Sequence, residues 1–549
     1  MSAGPEWASR RTLMLWMVLA VLWFGPLDST HLFEPDEGRY AEIPREMVAS
    51  ADWVTPRLDA IKYFEKPPLQ YWATAVAFEA FGAGERSARL YVWFAGFATL
   101  LIVGFTGTRI LGVETGLAAM LALVASPYFM AMGAIVTLDM GLTLWTTATF
   151  AALLLAEHAT ERPREQRRWM LAAWVAMALA VLSKGLVGIV FAGAAVFFVM
   201  VLGRSVSMLK RMHWTLGLAL FLAIAAPWFI AVSRANPEFA HFFFIHEHFE
   251  RFLTQEHRRV QPAWFFLPIV LVGFLPWMFA LFGATHDAWR EEAGARFQPL
   301  RLSLLWSAFI LAFFSASGSK LPAYVLPLFP SLALVLGRYL ANGAPRRLAL
   351  WVALVAPLGI VLAVAALRLP DSARESWTHA MYVNAQPWAL GAAVLLTVSC
   401  LALAWMLLHG HRWASLAGAA FASVMMIECL DSAYEQLSPR QSGLEVARAM
   451  KPLVNDGTRL YSVSHYDQTL PFYLGRTLTL VNYVDEFETG QKAEPSCCIA
   501  RLEDFPVAWL RPGDALAIMQ PGAYEKLKAL GLPMQVLHDD PRRVLVRKP

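Results

Sequence analysis

The sequence predicts an α-helical polytopic membrane protein of about thirteen transmembrane helices, followed by a C-terminal soluble α/β domain. Three observations predict it. Hydrophobic residues make up 57% of the 549 residues and charged residues only 16%, where soluble domains run roughly 45–50% and about 25%. Mean hydropathy is +0.46. Apolar runs of helix length alternate with polar connectors from Thr12 to Leu430, whereas from Asp431 to Pro549 about a quarter of residues are charged. A soluble enzyme and a disordered chain are both excluded. The net charge of +4 gives no support for a nucleic-acid partner. Four cysteines without a CxxC pair specify neither a zinc ribbon nor a disulfide scaffold.

The domain boundary falls near residue 431, giving a membrane domain over 1–430 and a tail over 431–549. Hydropathy places spans at 12–27, 88–109, 115–132, 140–157, 169–183, 185–203, 213–233, 263–283, 302–317, 321–338, 348–367, 387–408 and 413–430. Those at 169–183 and 302–317 are short and interrupted by Gly, Ser or Lys, and read as broken helices. The first run lacks a small-x-small cleavage site and reads as an uncleaved anchor. Arg10, Arg11, Arg162, Arg164, Arg167, Arg168, Arg204, Lys210, Arg211, Arg338, Arg346 and Arg347 mark one face as cytoplasmic. Two long connectors, near 28–87 and 234–262, then lie on the outer face with the tail. Their Tyr, Trp, Phe and His content argues for order. In the tail, 457–464, 477–484, 515–519, 534–537 and 543–547 read as strands and 521–530 as a helix. The tail shows no catalytic motif. Adjacent Cys497 and Cys498 read as two ordinary thiols, a vicinal disulfide being the alternative.

Chemistry concentrates in the connectors. Glu34-Pro35-Asp36-Glu37-Gly38-Arg39-Tyr40 puts two adjacent carboxylates at the membrane boundary, fit for a metal, a sugar or a base; a solvated turn with an internal salt bridge explains it equally well. In Tyr63-Phe64-Glu65-Lys66-Pro67-Pro68, the prolines fix an extended turn that presents Glu65 and Lys66 among aromatics. Lys66 there meets a lipid phosphate, or snorkels beside an aromatic belt. Asp139 stands at the outer start of a span, where a helix N-cap is the plain alternative. Lys184 lies between two apolar runs on the same side. His246 and His248 fit a metal pair completed by a carboxylate such as Glu65, though HxH spacing is common. Arg251 and Arg258 suit an oxyanion because the guanidinium fork binds it bidentately. Ser315 to Tyr324 joins two spans with small hydroxyl residues and Lys320 at a helix start, a setting for an anion or for close helix packing. These cations and the carboxylates Asp36, Glu37 and Asp139 are expected at one outer-face site for an amphiphile with a phosphate head.

At these motifs the chain resembles polyprenyl-phosphate-sugar glycosyltransferases of the membrane GT-C type, most closely the lipid A aminoarabinose transferases, related to protein O-mannosyltransferases. The matching stretches are 35–47, 63–72, 137–140, 182–185, 246–252 and 315–330, in order along the membrane half. The resemblance implies transfer of 4-amino-4-deoxy-L-arabinose from undecaprenyl phosphate to a lipid A phosphate, at the periplasmic face of the bacterial inner membrane, with resistance to polymyxin as the outcome. It implies Asp36, Glu37 and Asp139 as catalytic residues. It gives Lys66, Arg251, Arg258, Lys184, Lys320, Tyr324, Arg39 and Tyr63 to the donor phosphate. Glu65 with His246 and His248 would hold a divalent, zinc-like metal with an orienting role. No nucleotide cofactor and a monomer are expected. The alternatives are another sugar or a protein Ser/Thr acceptor, and, from another class, a glycolipid flippase, against which the one-sided charges argue.

Overall fold

The computed structural model describes residues 20, 21, 23, 24, 30–245, 261–292, 295 and 297–549. The anchor expected at 12–27 lies largely outside them, and so does the whole of 246–260. Among the described residues eight helices are long and apolar enough to cross a membrane, or nine with one bent pair. Thirteen were expected, and the differences have local causes. The run 115–132 forms two helices, Val113–Val124 and Pro127–Ala134, bent by 65°. Pro127 opens the second helix, and the Ser126 hydroxyl caps it by accepting from the Phe129 amide at 3.4 Å. The run 263–283 forms Phe266–Gly273 and Ala280–Glu291, with Pro276 between them offering no N–H to a continuous ladder.

Conversely, the two runs read as broken are continuous helices, Pro163–Lys184 and Pro299–Ala316. Their hydroxyls do not interrupt the ladder. Ser183, Ser303 and Ser307 each donate to the carbonyl four residues back, at 2.9, 2.8 and 2.8 Å. Pro163–Lys184 misses the spanning criterion because its first turns carry Arg164, Glu165, Arg167 and Arg168, and Val187–Gly203 is only 17 residues long.

Two compact units emerge. The first takes in the described residues of Met1–Thr30, Arg89–Phe229 and Glu247–Gln436. Aromatic contacts lock its helices: Phe150 stacks on Trp306 at 4.4 Å, and Trp306 donates its indole N–H to the Phe191 carbonyl at 3.0 Å. The second unit takes in His31–Ala88, Ile230–His246 and Leu437–Pro549. Here the first long connector is itself folded. It forms a helix Asp36–Ser50, an antiparallel hairpin of β1 (Arg57–Leu58) and β2 (Ile61–Lys62), and a helix Leu69–Phe81. Asp59 and Ala60, at φ 53° and 66°, make the hairpin turn.

The tail builds a mixed sheet from β3 (Arg459–Val463), β4 (Thr479–Val481), β5 (Ala515–Met519), β6 (Gln535–Asp539) and β7 (Val544–Arg547), in the order β4-β3-β5-β7-β6. β3 runs parallel to β4 and β5, and β7 antiparallel to β5 and β6. β5, central and buried at every residue, is a continuous apolar run because both its faces are covered. Every strand read from the sequence is present, as is the helix at Pro521–Ala529. Cys497 and Cys498 are free thiols.

Candidate active site

In the second unit, Asp36 and Glu37 occupy the first turn of the helix Asp36–Ser50, where the helix dipole favours negative charge. They face opposite ways. Glu37 is 4% exposed and accepts the Phe33 amide at 3.1 Å, which braces the helix start. The Asp36 side chain is 41% exposed, and Arg39, one turn on, donates to one of its oxygens at 2.9 Å. Arg39 is shared. Its other terminal nitrogen pairs with Glu486 of the tail. Its guanidinium lies over the rings of Tyr40 and Tyr63, 5.8 and 5.9 Å from their centroids. Burial pushes the Glu486 carboxyl up, and Arg39 opposes that shift. Gln468 donates to Glu486 at 2.9 Å. A Cβ at Gly38 would stand 2.5 Å from the Gln468 carbonyl, so glycine is what lets the tail backbone approach this helix.

Tyr63 and Tyr71 are fully buried, and burial drives their phenols well above the ordinary range, with Arg39 opposing. They remain neutral. Their hydroxyls meet no hydrogen-bond partner among the described residues, and each neutral phenol can donate one hydrogen bond. Lys66 holds its ammonium 2.9 Å from the Glu65 carbonyl and 3.8 Å from its carboxylate. The turn after it differs from the sequence reading. Pro68 is not extended but sits at φ −90°, ψ −5° as the N-cap of the helix Leu69–Phe81, so Lys66 stands where loop becomes helix.

In the first unit, Asp139 lies in the first turn of the helix Leu138–His158. The plain N-cap reading fails, because Thr137 is the cap residue. Lys184 ends the helix Pro163–Lys184, which Gly185 stops at φ +83°. The two pair at 2.5 Å with side chains 10% and 16% exposed. Each charge sits at the helix end whose dipole suits it. Lys184 also lies 4.9 Å over the Tyr324 ring. Lys320, 7% exposed, donates to the Ser317 carbonyl at 2.6 Å, just past the helix Pro299–Ala316. It serves the C-terminus of that helix and also stands at the helix start read from the sequence, just before Leu321, the N-cap of the span Pro322–Asn342.

The structure therefore assembles Asp36, Glu37, Arg39, Tyr63, Glu65 and Lys66 in one unit and Asp139, Lys184, Lys320 and Tyr324 in the other. Arg251, Arg258, His246 and His248 lie outside the described residues. Among the described residues no three His, Cys, Asp or Glu side chains converge as a metal site. Sequence reasoning missed Glu486. Its only signal was Asp485-Glu486 held between Val484 and Phe487, an acid pair in an apolar frame.

Comparison with known proteins fits both units. A family model described as aminoarabinose transferase C-terminal domain matches residues 446–548, and one described as dolichyl-phosphate-mannose-protein mannosyltransferase matches residues 8–243. A relative from Sodalis glossinidius, undecaprenyl phosphate-alpha-4-amino-4-deoxy-L-arabinose arabinosyl transferase 1, is 33% identical over 416 residues, 73% of each chain. Among solved structures, ArnT from Cupriavidus metallidurans bound to undecaprenyl phosphate is similar with a TM-score of 0.92 at 34% identity, over 98% of both chains. Its apo state gives 0.90 at 35% identity, over 97% of both. Identity at this level over nearly the whole length places the chain in the GT-C family of undecaprenyl phosphate aminoarabinose arabinosyltransferases, related to the protein mannosyltransferases.

Proposed function

We infer that this chain moves 4-amino-4-deoxy-L-arabinose from undecaprenyl phosphate to a phosphate of lipid A, at the periplasmic face of the bacterial inner membrane. The likeness along 98% of both chains to a relative bound to undecaprenyl phosphate carries the donor assignment. In the reaction the bond between the sugar's anomeric carbon and the donor phosphate oxygen breaks. Its electron pair leaves on undecaprenyl phosphate. An acceptor phosphate oxygen forms the new bond from the opposite face, which inverts the centre.

Lys66 neutralises the departing lipid phosphate, an electrostatic contribution for which losing one donor typically costs about 10²–10³ in rate. Arg251 and Arg258 are further candidates for that phosphate. The Tyr63 and Tyr71 phenols supply neutral donors to oxygens. An acceptor phosphate is ionised near neutral pH and needs no base, so Asp36 orients the acceptor or pairs with the sugar's ammonium, in a direction fixed by Arg39. Asp139, held by Lys184, is the second acid. A divalent ion on Glu65, His246 and His248 stays a separate proposal. Of that triad the described residues include Glu65 alone, whose carboxylate faces Lys66, and no step here runs through a metal. Loss of bound metal in His246→Ala would support it, and unchanged content would reject it.

The match to the mannosyltransferase family model over 8–243 favours one second reading, a protein hydroxyl as acceptor. Asp36 would then be a base, and Asp36→Asn would abolish turnover instead of reducing it. The test is mass spectrometry of lipid A from a strain that makes the aminoarabinose donor but lacks its own transferase, with and without this protein. A gain of one aminoarabinose unit, lost again in Lys66→Ala, is expected. No gain with folded protein present would reject the lipid A acceptor or the sugar.

A further inference from the structure

The tail grips the start of the Asp36 helix at a point none of the steps above uses. Glu34 lies two residues before Asp36. Its amide donates to the Gln441 carbonyl at 2.8 Å, and its carboxyl takes Arg542 at 2.8 Å. Both side chains are largely buried, 16% and 21% exposed. Arg542 projects from the turn between β6 and β7, which Asp540 closes by accepting the Arg542 and Arg543 amides at 2.8 and 3.0 Å. Behind it, Arg543 is 1% exposed and pairs with Asp467 and, at 3.1 Å, with Asp540. Asp467, 1% exposed, also accepts the Thr469 hydroxyl at 2.7 Å and lies within hydrogen-bonding reach of Glu34.

We propose that Arg542 and Asp467 of the C-terminal domain are positioning residues for Asp36, acting through Glu34. A ledger of stability does not account for such a network, because buried ion pairs are on balance no more stabilising than apolar replacements. What the network fixes is geometry. Two residues of chain span at most about 7 Å, so a Glu34 held by backbone and side chain together leaves the Asp36 carboxylate little room to wander. Burial, then Asp467, push the Glu34 carboxyl up to about 8, while at Asp467 burial is opposed and together outweighed by Arg543, the Thr469 hydroxyl, His465 and Glu34, which hold that carboxyl low. Glu34 is thus a neutral acid that donates to Asp467 and accepts from Arg542. Glutamine can make both contacts. The inference rests on the reading of Asp36 given above.

The test uses the full-length protein in detergent, with Arg542→Ala, Arg542→Lys, Glu34→Ala, Glu34→Gln and the double alanine variant. Turnover is read as released undecaprenyl phosphate per folded protein. Arg542→Ala and Glu34→Ala are each expected to lower kcat roughly 10–100-fold, the scale of an ångström's misplacement, with donor KM within about twofold. The double variant should be no worse than either single, and Arg542→Lys and Glu34→Gln should recover most of the loss. Independently of substrate, hydrogen exchange at the amides of residues 36–40 should rise about tenfold in Arg542→Ala and return in Arg542→Lys. Unchanged exchange, additive losses, or a kcat within twofold of wild type would overturn the proposal. Absence of turnover in the wild type would instead sink the assigned reaction, with the exchange result still deciding whether Arg542 positions this segment.

Discussion

Replacing Glu46 with glutamine should change how stability depends on pH. Glu46 sits on the helix that Asp36 opens and is 8% exposed. One oxygen takes the Ala60 amide at 2.8 Å, and the other meets no partner among the described residues. Around it, Glu42 is held bidentately by Arg45 at 2.6 Å on both oxygens. Asp59 accepts the Leu478 amide at 2.6 Å, and the buried Tyr466 phenol belongs to the same cluster. Three buried carboxyls thus face a single guanidinium. Burial first, then Glu42, lift Glu46 from its ordinary 4.5 to about 8. Between those values the native state keeps a proton that the unfolded chain has released, so stability falls as pH rises. The gap is worth about 5 kcal/mol in total, of which about 2.7 kcal/mol is lost between pH 5.5 and 7.5. Glutamine has no proton to release and removes that slope. At about 2–4 °C per kcal/mol, typical of domains of roughly 150–250 residues, the melting temperature of Glu46→Gln should gain about 5–10 °C on the parent across those two pH units. Thermal unfolding followed by tryptophan fluorescence at both pH values tests it. Parallel pH curves for parent and variant would refute the assignment of the proton to Glu46.

Gly38→Ala should destabilise by about 1–3 kcal/mol, because its Cβ meets backbone that cannot yield; helix propensity alone predicts a gain of about 1 kcal/mol, so the sign of the melting shift decides. Asp139→Asn leaves Lys184 unpaired and should cost about 3 kcal/mol or more; adding Lys184→Met should restore the melting temperature but not turnover. Arg39→Lys cannot span Asp36 and Glu486 with one ammonium, so kcat should fall roughly 10–100-fold while the sheet melts as before, and an unchanged kcat would remove Arg39 from the site.

The tail was legible almost element by element, since β3 alternates and β5 is an apolar run, and strands of those kinds are written in adjacent residues. The membrane half was legible in composition but not in its breaks. A hydropathy window averages over Ser126-Pro127 and over Pro276, where single backbone groups decide, and it discounts Ser303 and Ser307, whose hydroxyls are absorbed by the helix's own carbonyls. The helix Asp36–Ser50 was hidden in a connector because Pro44 and its many polar residues mask the helical period. Asp36, Lys66 and Asp139 announced themselves by residue type in an apolar setting. Glu486, Asp467 and Arg542 did not. Their meaning comes from partners about 430 to 510 positions away, a separation at which a charge in an ordinary soluble domain looks like a solvated surface residue.

That difference in legibility reflects two ways of holding a charge. Asp139 and Lys184 neutralise each other at the ends of two helices whose dipoles already favour them, so each residue stands out as a charge beside an apolar run, although their pairing joins positions 45 residues apart. Asp36 is aimed by Arg39, which is aimed by Glu486, which Gln468 holds, while Gly38 admits the backbone that carries Gln468. Two of these links, Arg39 to Glu486 and Gly38 against Gln468, cross from the first connector to the tail, and Arg39 and Glu486 are buried enough that an unpaired partner would be costly. A carboxylate aimed this way cannot be built by the connector alone. The family's C-terminal domain is therefore part of what gives the Asp36 side chain a single direction, and removing it should disorder residues 33–66 before it disturbs the Asp139–Lys184 pair.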